Sequence, residues 1–514
     1  MRSTTSVGTS GAGGASGVDR TRRRAWASLG VLATALAMIV LDGTIVSVAL
    51  PSIIADLHLS LTEAQWVNSL YSVVFAALLI TAGRIGDRIG RRRILLVGVA
   101  VFVIGSVFAG LADNSSTLLA SRALQGIGGA MVLPSTLATV NATFRGRDRA
   151  TAFGVWGAVM SGAAALGPLL GGLLTTVGRW PLIFWVNLPI GIAVLVAAVR
   201  LVDETRTPRA DARQGIDVLG PLLSAAGLGL IIFGLIEGST LGWWRPQVDS
   251  PSLVGIWPAT APISATPVLL LLGLLLMAAF IGWQVRRRNA GRATTLDPGL
   301  FRIGSFGLGN TVAGAVAVGE FALLFVLPLY LEQALRLTTL RAGLVLAAMA
   351  GGAFVSGAVA RHLAAAIGPT KVVIVGLALE VAGAGVTAGV VSAGGVGWGV
   401  VLTLLPYGLG LGLASAQLTS VTLRDVPTTS SGIGSATQST VRQLGAALGT
   451  AAGGAVLTGK LGSSSTFLAT DPSRFAAAAG SALVVAMIIL AAALVLAGLL
   501  DRRDRSGHTP RSDP

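Results

Sequence analysis

The chain has 514 residues, of which 53% are apolar and only 11% charged, with no cysteine. Mean hydropathy is +0.78. That composition excludes a water-soluble protein of this size, a disordered chain and a disulfide scaffold. The net charge of +15 reads as basic loops held on one side of a bilayer rather than as a nucleic-acid surface. What remains is an all-α integral membrane protein, because a hydrocarbon core of about 30 Å takes about 20 apolar residues per helix.

In chain order, residues 1–25 read as a disordered tail ending in an arginine run. The apolar run Trp26–Leu50 is too long for a signal-peptide core and carries Asp42, so it is expected to be a retained first helix. Fourteen spans follow from hydropathy: 26–50, 66–84, 94–112, 116–140, 151–175, 181–200, 217–236, 267–285, 305–331, 342–363, 372–391, 396–421, 432–457 and 476–500. With the N-terminus inside, the inside segments hold 29 of the 37 basic residues and the outside segments six; Arg122 and Arg442 fall within helices. That asymmetry is the positive-inside pattern of an even helix count, and it predicts both termini in the cytoplasm. Of the basic residues only Lys371 and Lys460 are lysines, and there are 69 glycines, a composition that points to a GC-rich, bacterial coding sequence.

The two longest loops, 201–216 and 237–266, divide the chain into a six-helix bundle (26–200), two inserted helices with flanking loops (201–304), a second six-helix bundle (305–500) and a cytoplasmic tail (501–514). A repeat supports the division. Gly90-Arg91-Arg92-Arg93-Ile94-Leu95-Leu96-Val97-Gly98 and Gly368-Pro369-Thr370-Lys371-Val372-Val373-Ile374-Val375-Gly376 share their glycines, a cation at the fourth position and an aliphatic run. Each opens the third helix of its half, as an internal repeat requires.

The loop Gly83-Arg84-Ile85-Gly86-Asp87-Arg88-Ile89-Gly90-Arg91-Arg92-Arg93 combines turn-forming glycines with headgroup-facing arginines and one acid, Asp87, able to meet an arginine or a helix N-terminus. Helix 5 carries Gly157, Gly162, Gly167, Gly171 and Gly172 on a face for close packing, with Pro168 inviting a kink. Ionisable residues inside helices are functional candidates, since each is costly in lipid. Asp42 in helix 1 and Arg122 in helix 4 are expected about 10 Å below the outer surface. Glu380 in helix 11 and Arg442 in helix 13 are expected near mid-membrane. Glu320 in helix 9 shares a seam with Gly309, Ala313 and Ala317. The run Gly454–Lys460 resembles a phosphate loop, but Leu461 stands where a hydroxyl must bind Mg²⁺. No nucleotide, metal or other cofactor site is expected.

The loop from Gly83 to Arg93 resembles the signature loop of the major facilitator superfamily. Leu41-Asp42-Gly43-Thr44-Ile45-Val46-Ser47-Val48-Ala49-Leu50-Pro51 resembles the helix-1 motif of its 14-helix drug:proton antiporter family. Arg122-Ala123-Leu124-Gln125-Gly126-Ile127-Gly128-Gly129-Ala130 matches the helix-4 motif, and the helix-5 glycines with Pro168 match the exporter motif. Arg179-Trp180-Pro181-Leu182-Ile183-Phe184-Trp185-Val186-Asn187-Leu188-Pro189-Ile190-Gly191 resembles the start of helix 6. In the second copy of the loop, Ala360 precedes Arg361 where Asp87 precedes Arg88. The resemblance implies a major facilitator fold of two six-helix bundles plus two inserted helices, and no enzyme activity. It implies that Asp42 is a substrate or proton-coupling acid and Arg122 a proton-relay residue; Glu320, Glu380 and Arg442 join them as coupling candidates because they are ionisable within helices, and Glu320 and Glu380, less standard for the family, are candidates for individual substrate preference. It assigns Gly83, Asp87, Arg88, Gly90, Arg91 and Arg92 to a gating loop. The implied function is proton-driven export of lipophilic, cationic drug-like molecules across a bacterial cell membrane by a monomer, with no nucleic-acid partner. Aromatic residues are only 5% of the chain, which favours an alternative: export of one dedicated antibiotic or metabolite.

Overall fold

The computed structural model describes residues 12–144, 146–205, 217–246, 257, 261–292, 294–395, 397–427, 431–461 and 471–506; some side chains within its helices, those of Arg84, Asp87 and Gly157 among them, lie outside the description. Fourteen long helices follow one another. The first half holds α1 (Ala12–Leu57), α2 (Leu61–Ile89), α3 (Arg91–Gly110), α4 (Ser115–Thr143), α5 (Gly146–Val177) and α6 (Leu182–Leu201, interrupted at Val186). The inserted pair is α7 (Leu219–Leu241) and α8 (Ala265–Asn289). The second half holds α9 (Gly304–Gln333), α10 (Thr339–Ile367), α11 (Pro369–Ser392), α12 (Gly397–Leu423), α13 (Ser431–Leu461) and α14 (Pro472–Ser506). Each overlaps one of the expected spans.

Two expectations are corrected at the chain ends. The stretch 1–25 is not wholly a disordered tail, since α1 begins at Ala12. Its arginines find acids at the end of the bundle: Arg22 meets Asp148 at 3.2 Å and Arg24 meets Asp203 at 2.9 Å. The tail set at 501–514 likewise begins later, because α14 runs on to Ser506.

The halves repeat one another in detail. The N-cap of α2 is Ser60, whose side chain accepts the Glu63 amide; that of α10, 278 residues later (338 less 60), is Thr338, which accepts the Arg341 amide. The same interval carries His58 (φ 51°) to Arg336 (φ 53°) and the positive-φ glycine Gly90 to Gly368. Side chains rarely adopt that region, so the loop glycines are needed for the turn. The interval also corrects the alignment of the second loop: Ala365, not Ala360, stands at the place of Asp87. Packing repeats too. A Cβ on Gly98 would meet the Gly128 carbonyl and one on Gly105 the Gln125 backbone; Gly376 meets Gly410 and Gly383 meets Tyr407 in the same way. Helices this close touch backbone to backbone, with small residues as the condition.

Across the halves, α2 packs on α13 and α5 on α10. Eleven of the described helices are long and apolar enough to cross a membrane by composition. The seam helices α2 and α13 both bury polar side chains, Gln65, Asn68 and Ser69 on one and Thr437, Gln438 and Thr450 on the other. One apolar cluster spans both halves at the arginine-poor end, joining Ile53 and Leu61 to Leu327, Leu346 and Leu457. Ser52 and Thr339 meet there at 3.1 Å, and a Cβ on Gly172 would strike the backbone of Thr339 and Leu340. Towards the arginine-rich end the core divides. One cluster around Phe102 and Val194 belongs to the first half and another around Leu377 and Leu418 to the second.

The inserted α7 lies over the α2–α13 seam. Ile232 and Ile236 pack on Val73, Ala447 and Ala451, and the Trp66 indole donates to Glu237 at 2.9 Å. Its companion α8 crosses it at Gly227 and Gly273 and turns Leu271, Leu272, Leu274 and Leu275 outward. A clamp ties the pair together at the arginine-rich end. Asp217 accepts from Trp283 at 2.9 Å, Gln284 at 2.7 Å, Thr295 at 2.8 Å and the Gly220 amide at 3.0 Å. Burial pushes the Asp217 carboxyl up, but these bonds outweigh it and hold it below its ordinary value.

Two outcomes are expected. Gly128→Leu should destabilise the first bundle by about 1–3 kcal/mol or block its assembly, read as a lower Tm of the purified protein. The clamp's contribution is complete above the ordinary carboxylate pKa and is lost only as pH falls through the depressed value. Hydrogen exchange around 284–296 should therefore stay slow down to about pH 4 and quicken below it; in Asp217→Asn it should be fast throughout.

Candidate functional site: a sealed ion pair and an open one

The first half is built around Arg122, a charge with no access to solvent. Its side chain is 1% exposed and that of Asp42 is 0%. Nη1 donates to Asp42 Oδ2 at 2.6 Å and to Gln125 Oε1 at 2.8 Å, and Nε donates to the Val67 carbonyl at 3.1 Å. The guanidinium carbon lies 4.4 Å from the Tyr71 ring centroid, within cation–π range. The other oxygen of Asp42 accepts Gln125 Nε2 at 2.9 Å and Asn187 Nδ2 at 3.0 Å. Both amides also reach Ser106 Oγ, at 2.9 and 3.1 Å, and that hydroxyl donates to the Phe102 carbonyl. Five helices thus converge on one buried carboxylate–guanidinium pair.

Gln125, Asn187, Ser106 and Tyr71 do not stand out in the sequence as Asp42 and Arg122 do, because none of them carries a formal charge. The available signal was uncharged polarity in a membrane helix. Asn187 carried a second signal: it starts the longer piece of α6 just past the interruption at Val186.

In the second half the helix that answers to α1 is α9, and it carries Glu320. Its partner comes from elsewhere. Arg442 of α13 donates Nη2 to Glu320 Oε2 at 3.2 Å, whereas Leu404 occupies the α12 position that matches Arg122, four residues before the paired glycines Gly126 and Gly408. This pair is open, with the Arg442 side chain 44% and Glu320 11% exposed. Glu380 is fully buried, and neither of its oxygens has a hydrogen-bond partner among the described residues; the Tyr407 hydroxyl is in the same position. The expected group of five therefore divides into a sealed pair, an open pair and an isolated acid.

The loop residues are fastened to the start of the linker that follows α6. The Arg92 amide donates to Glu204 Oε1 at 3.1 Å and the Arg91 amide to the Thr205 carbonyl at 3.2 Å. The Arg91 side chain reaches the Ala138 carbonyl at 3.1 Å, and that of Arg92 reaches the Val199 carbonyl. A Cβ on Gly90 would strike the Glu204 carboxylate at 2.5 Å, so this glycine serves both a positive φ and a close approach. Gly83 lies against Pro134 of α4, and Arg88 sits exposed at the end of α2. The Asp87 side chain lies outside the described residues. In α5, Gly167 meets Thr44 and Gly171 meets Ile45, both on α1; Gly172 and the Pro168 carbonyl meet α10, and a Cβ on Gly162 would find open space. The surroundings of Gly157 lie outside the described residues. Among the described residues no three His, Asp or Glu side chains gather as a metal group.

The architecture defines the class: a membrane bundle of two repeated six-helix halves with charged pairs at their centres. The Major Facilitator Superfamily model matches residues 32–450, and the chain belongs to that superfamily. Among its relatives, the probable actinorhodin transporter of Streptomyces coelicolor is 34% identical over 87% of this chain and 75% of its own length. The tetracenomycin C resistance and export protein of Streptomyces glaucescens is 31% identical over 86% and 77%. The multidrug efflux pump LfrA of Mycolicibacterium smegmatis is 31% identical over 87% and 83%. Among solved structures, an autoinhibited peptide transporter of the POT family superposes with a TM-score of 0.63 at 16% identity, covering 93% of this chain and 97% of the other.

Gln125→Leu should remove the group that bridges Asp42, Arg122 and Ser106. Leaving those buried atoms unpaired is expected to cost about 1–3 kcal/mol, read as a fall in Tm with membrane insertion retained.

Proposed function

We propose that this protein is a proton-driven exporter of lipophilic, drug-like small molecules in a bacterial cell membrane, acting as a monomer with both termini in the cytoplasm. The observation that carries the reading is the Asp42–Arg122 pair, sealed at the centre of the first half of a chain whose relatives are named as antibiotic and multidrug exporters. With the arginine-rich end taken as cytoplasmic, the halves are joined on the outer side and have separate cores on the inner side. That is the inward-facing arrangement of an alternating-access carrier. Export then requires the outer contacts, Ser52 with Thr339 and Gly172 with Gly343, to part while the inner ends come together.

Every donor on the Asp42 oxygens competes with a proton for the same lone pairs. Protonation is therefore tied to release of Arg122, Gln125 or Asn187, and so to the relative positions of α1, α4 and α6. A group bound differently in two conformations links its ligand to the conformational equilibrium. The signature loop, fastened by Glu204, sets the pace of the exchange rather than the affinity for cargo. A narrower reading, one dedicated antibiotic or metabolite, is favoured by relatives named for single compounds, puromycin and methylenomycin A among them. A drug-sensitivity panel in cells expressing the protein separates the two.

In everted vesicles with an imposed pH gradient, Asp42→Asn should abolish gradient-driven transport and Asp42→Glu should keep part of it. Full transport by a correctly inserted Asp42→Asn protein moves the coupling role to Glu320 or Glu380. A single cysteine introduced at position 508 should label only from the cytoplasmic side; labelling from outside intact cells overturns the topology.

A further inference from the structure

The open pair differs from the sealed one in a way the repeat makes legible. Glu320 lies on α9 as Asp42 lies on α1, but its cation is supplied by α13, one of the seam helices, and stands 44% exposed. An arginine in mid-helix is costly against hydrocarbon, and we infer that its exposed face turns to the space between the halves. The position agrees. Arg442 lies five residues from Ala447, about 7 Å along the helix, on the arginine-rich side of the point where α13 closes on Ser69 and Val73 of α2. A guanidinium offers five N–H donors in a planar fork and serves two carboxylates at once, one on each edge. Among the described residues only Nη2 is engaged, by a single bond to Glu320. The three acids contribute little to that space: Asp42 and Glu380 are fully buried and Glu320 nearly so. Of these charged groups, Arg442 is the one displayed.

We propose that Arg442 is a docking residue for an acidic oxygen on the cargo, a carboxylate or an acidic phenolate carried on a lipophilic ring system, with Glu320 holding the guanidinium in place from behind. The inference rests on the reading of the protein as an exporter and adds the cargo's charge class, in contrast to the cation implied by family resemblance. It also assigns the two pairs different work. The sealed pair has no room for a ligand, while the open pair has free donors facing one.

The test uses the purified full-length protein and three probes of similar size: a lipophilic aromatic carboxylate fluorophore, its methyl ester and a lipophilic cationic dye. Affinity is read by fluorescence anisotropy in detergent, and transport in proteoliposomes under a pH gradient. The wild type should bind the carboxylate about tenfold or more tighter than the ester, the usual magnitude of a hydrogen bond to a charged group. Arg442→Gln should erase that ratio and Arg442→Lys should keep part of it. Glu320→Gln should preserve or strengthen the preference, because the guanidinium loses its competitor. If Arg442→Gln fails to fold with Glu320 unpaired, the double variant Arg442→Gln/Glu320→Gln removes both charges and should show the same loss. An unchanged carboxylate-to-ester ratio in any folded variant lacking Arg442, or a wild-type preference for the cationic dye, overturns the proposal. Binding without transport of any of the three probes counts against the exporter reading instead, and leaves the anisotropy ratios to decide the role of Arg442.

Discussion

A guanidinium with no path to water must be paired where it sits, and the first half is arranged to meet that requirement. Removing one partner of such a buried pair costs about 3–5 kcal/mol. Asp42 supplies the counter-charge, but a carboxylate and a guanidinium expose more hydrogen-bonding sites than one contact satisfies. Gln125, Asn187 and the Val67 carbonyl supply the rest, and Ser106 holds the two amides in place. Each comes from a different part of the fold, so α1, α2, α3, α4 and α6 are fixed relative to one another by one charge. The glycine contacts make this possible, since α3 and α4 approach backbone to backbone at Gly98, Gly105 and Gly128. Closeness of that kind brings short side chains such as Ser106 into range.

The second half keeps the frame and changes the chemistry. The caps, the positive-φ turns and the glycine crossings recur, while Gln125 is replaced by Tyr407 and Arg122 by Leu404. Backbone geometry is the conserved part of the repeat, because helix crossings tolerate few substitutions. Side chains at the centre are free to diverge once the crossings hold. A buried acid is therefore met by a buried cation in one half and by an exposed cation from a seam helix in the other.

Much of this was legible in the residues. Hydropathy and loop charge placed all fourteen helices, because a bilayer imposes a length and a sidedness that leave direct marks in composition. The Gly90 and Gly368 runs exposed the repeat, since only glycine serves those turns. Asp42 and Arg122 were found because ionisable groups stand out in apolar runs. Their meeting was not legible, as it depends on a helix crossing rather than on spacing. Gln125 and Asn187 lay within motifs already noticed, yet uncharged amides carry no obvious cost in a membrane helix until the structure shows which charge they serve. The extension of α1 back to Ala12 is not legible in a Ser/Gly-rich stretch, because the acids that Arg22 and Arg24 meet come from α5 and the α6 linker.

The placement of α7 has a consequence for how a bilayer-dissolved molecule reaches the space between the halves. The α2 face toward α13 carries Gln65, Asn68 and Ser69, groups that hydrocarbon tails solvate poorly, and α7 stands across that seam with α8 outside it. A parting of α2 from α13 is thus roofed by protein rather than wetted by lipid. The α5–α10 seam carries no comparable roof among the described residues. Among the described residues the molecule is consequently one-sided in the membrane plane, with a further helix pair over one seam and none over the other.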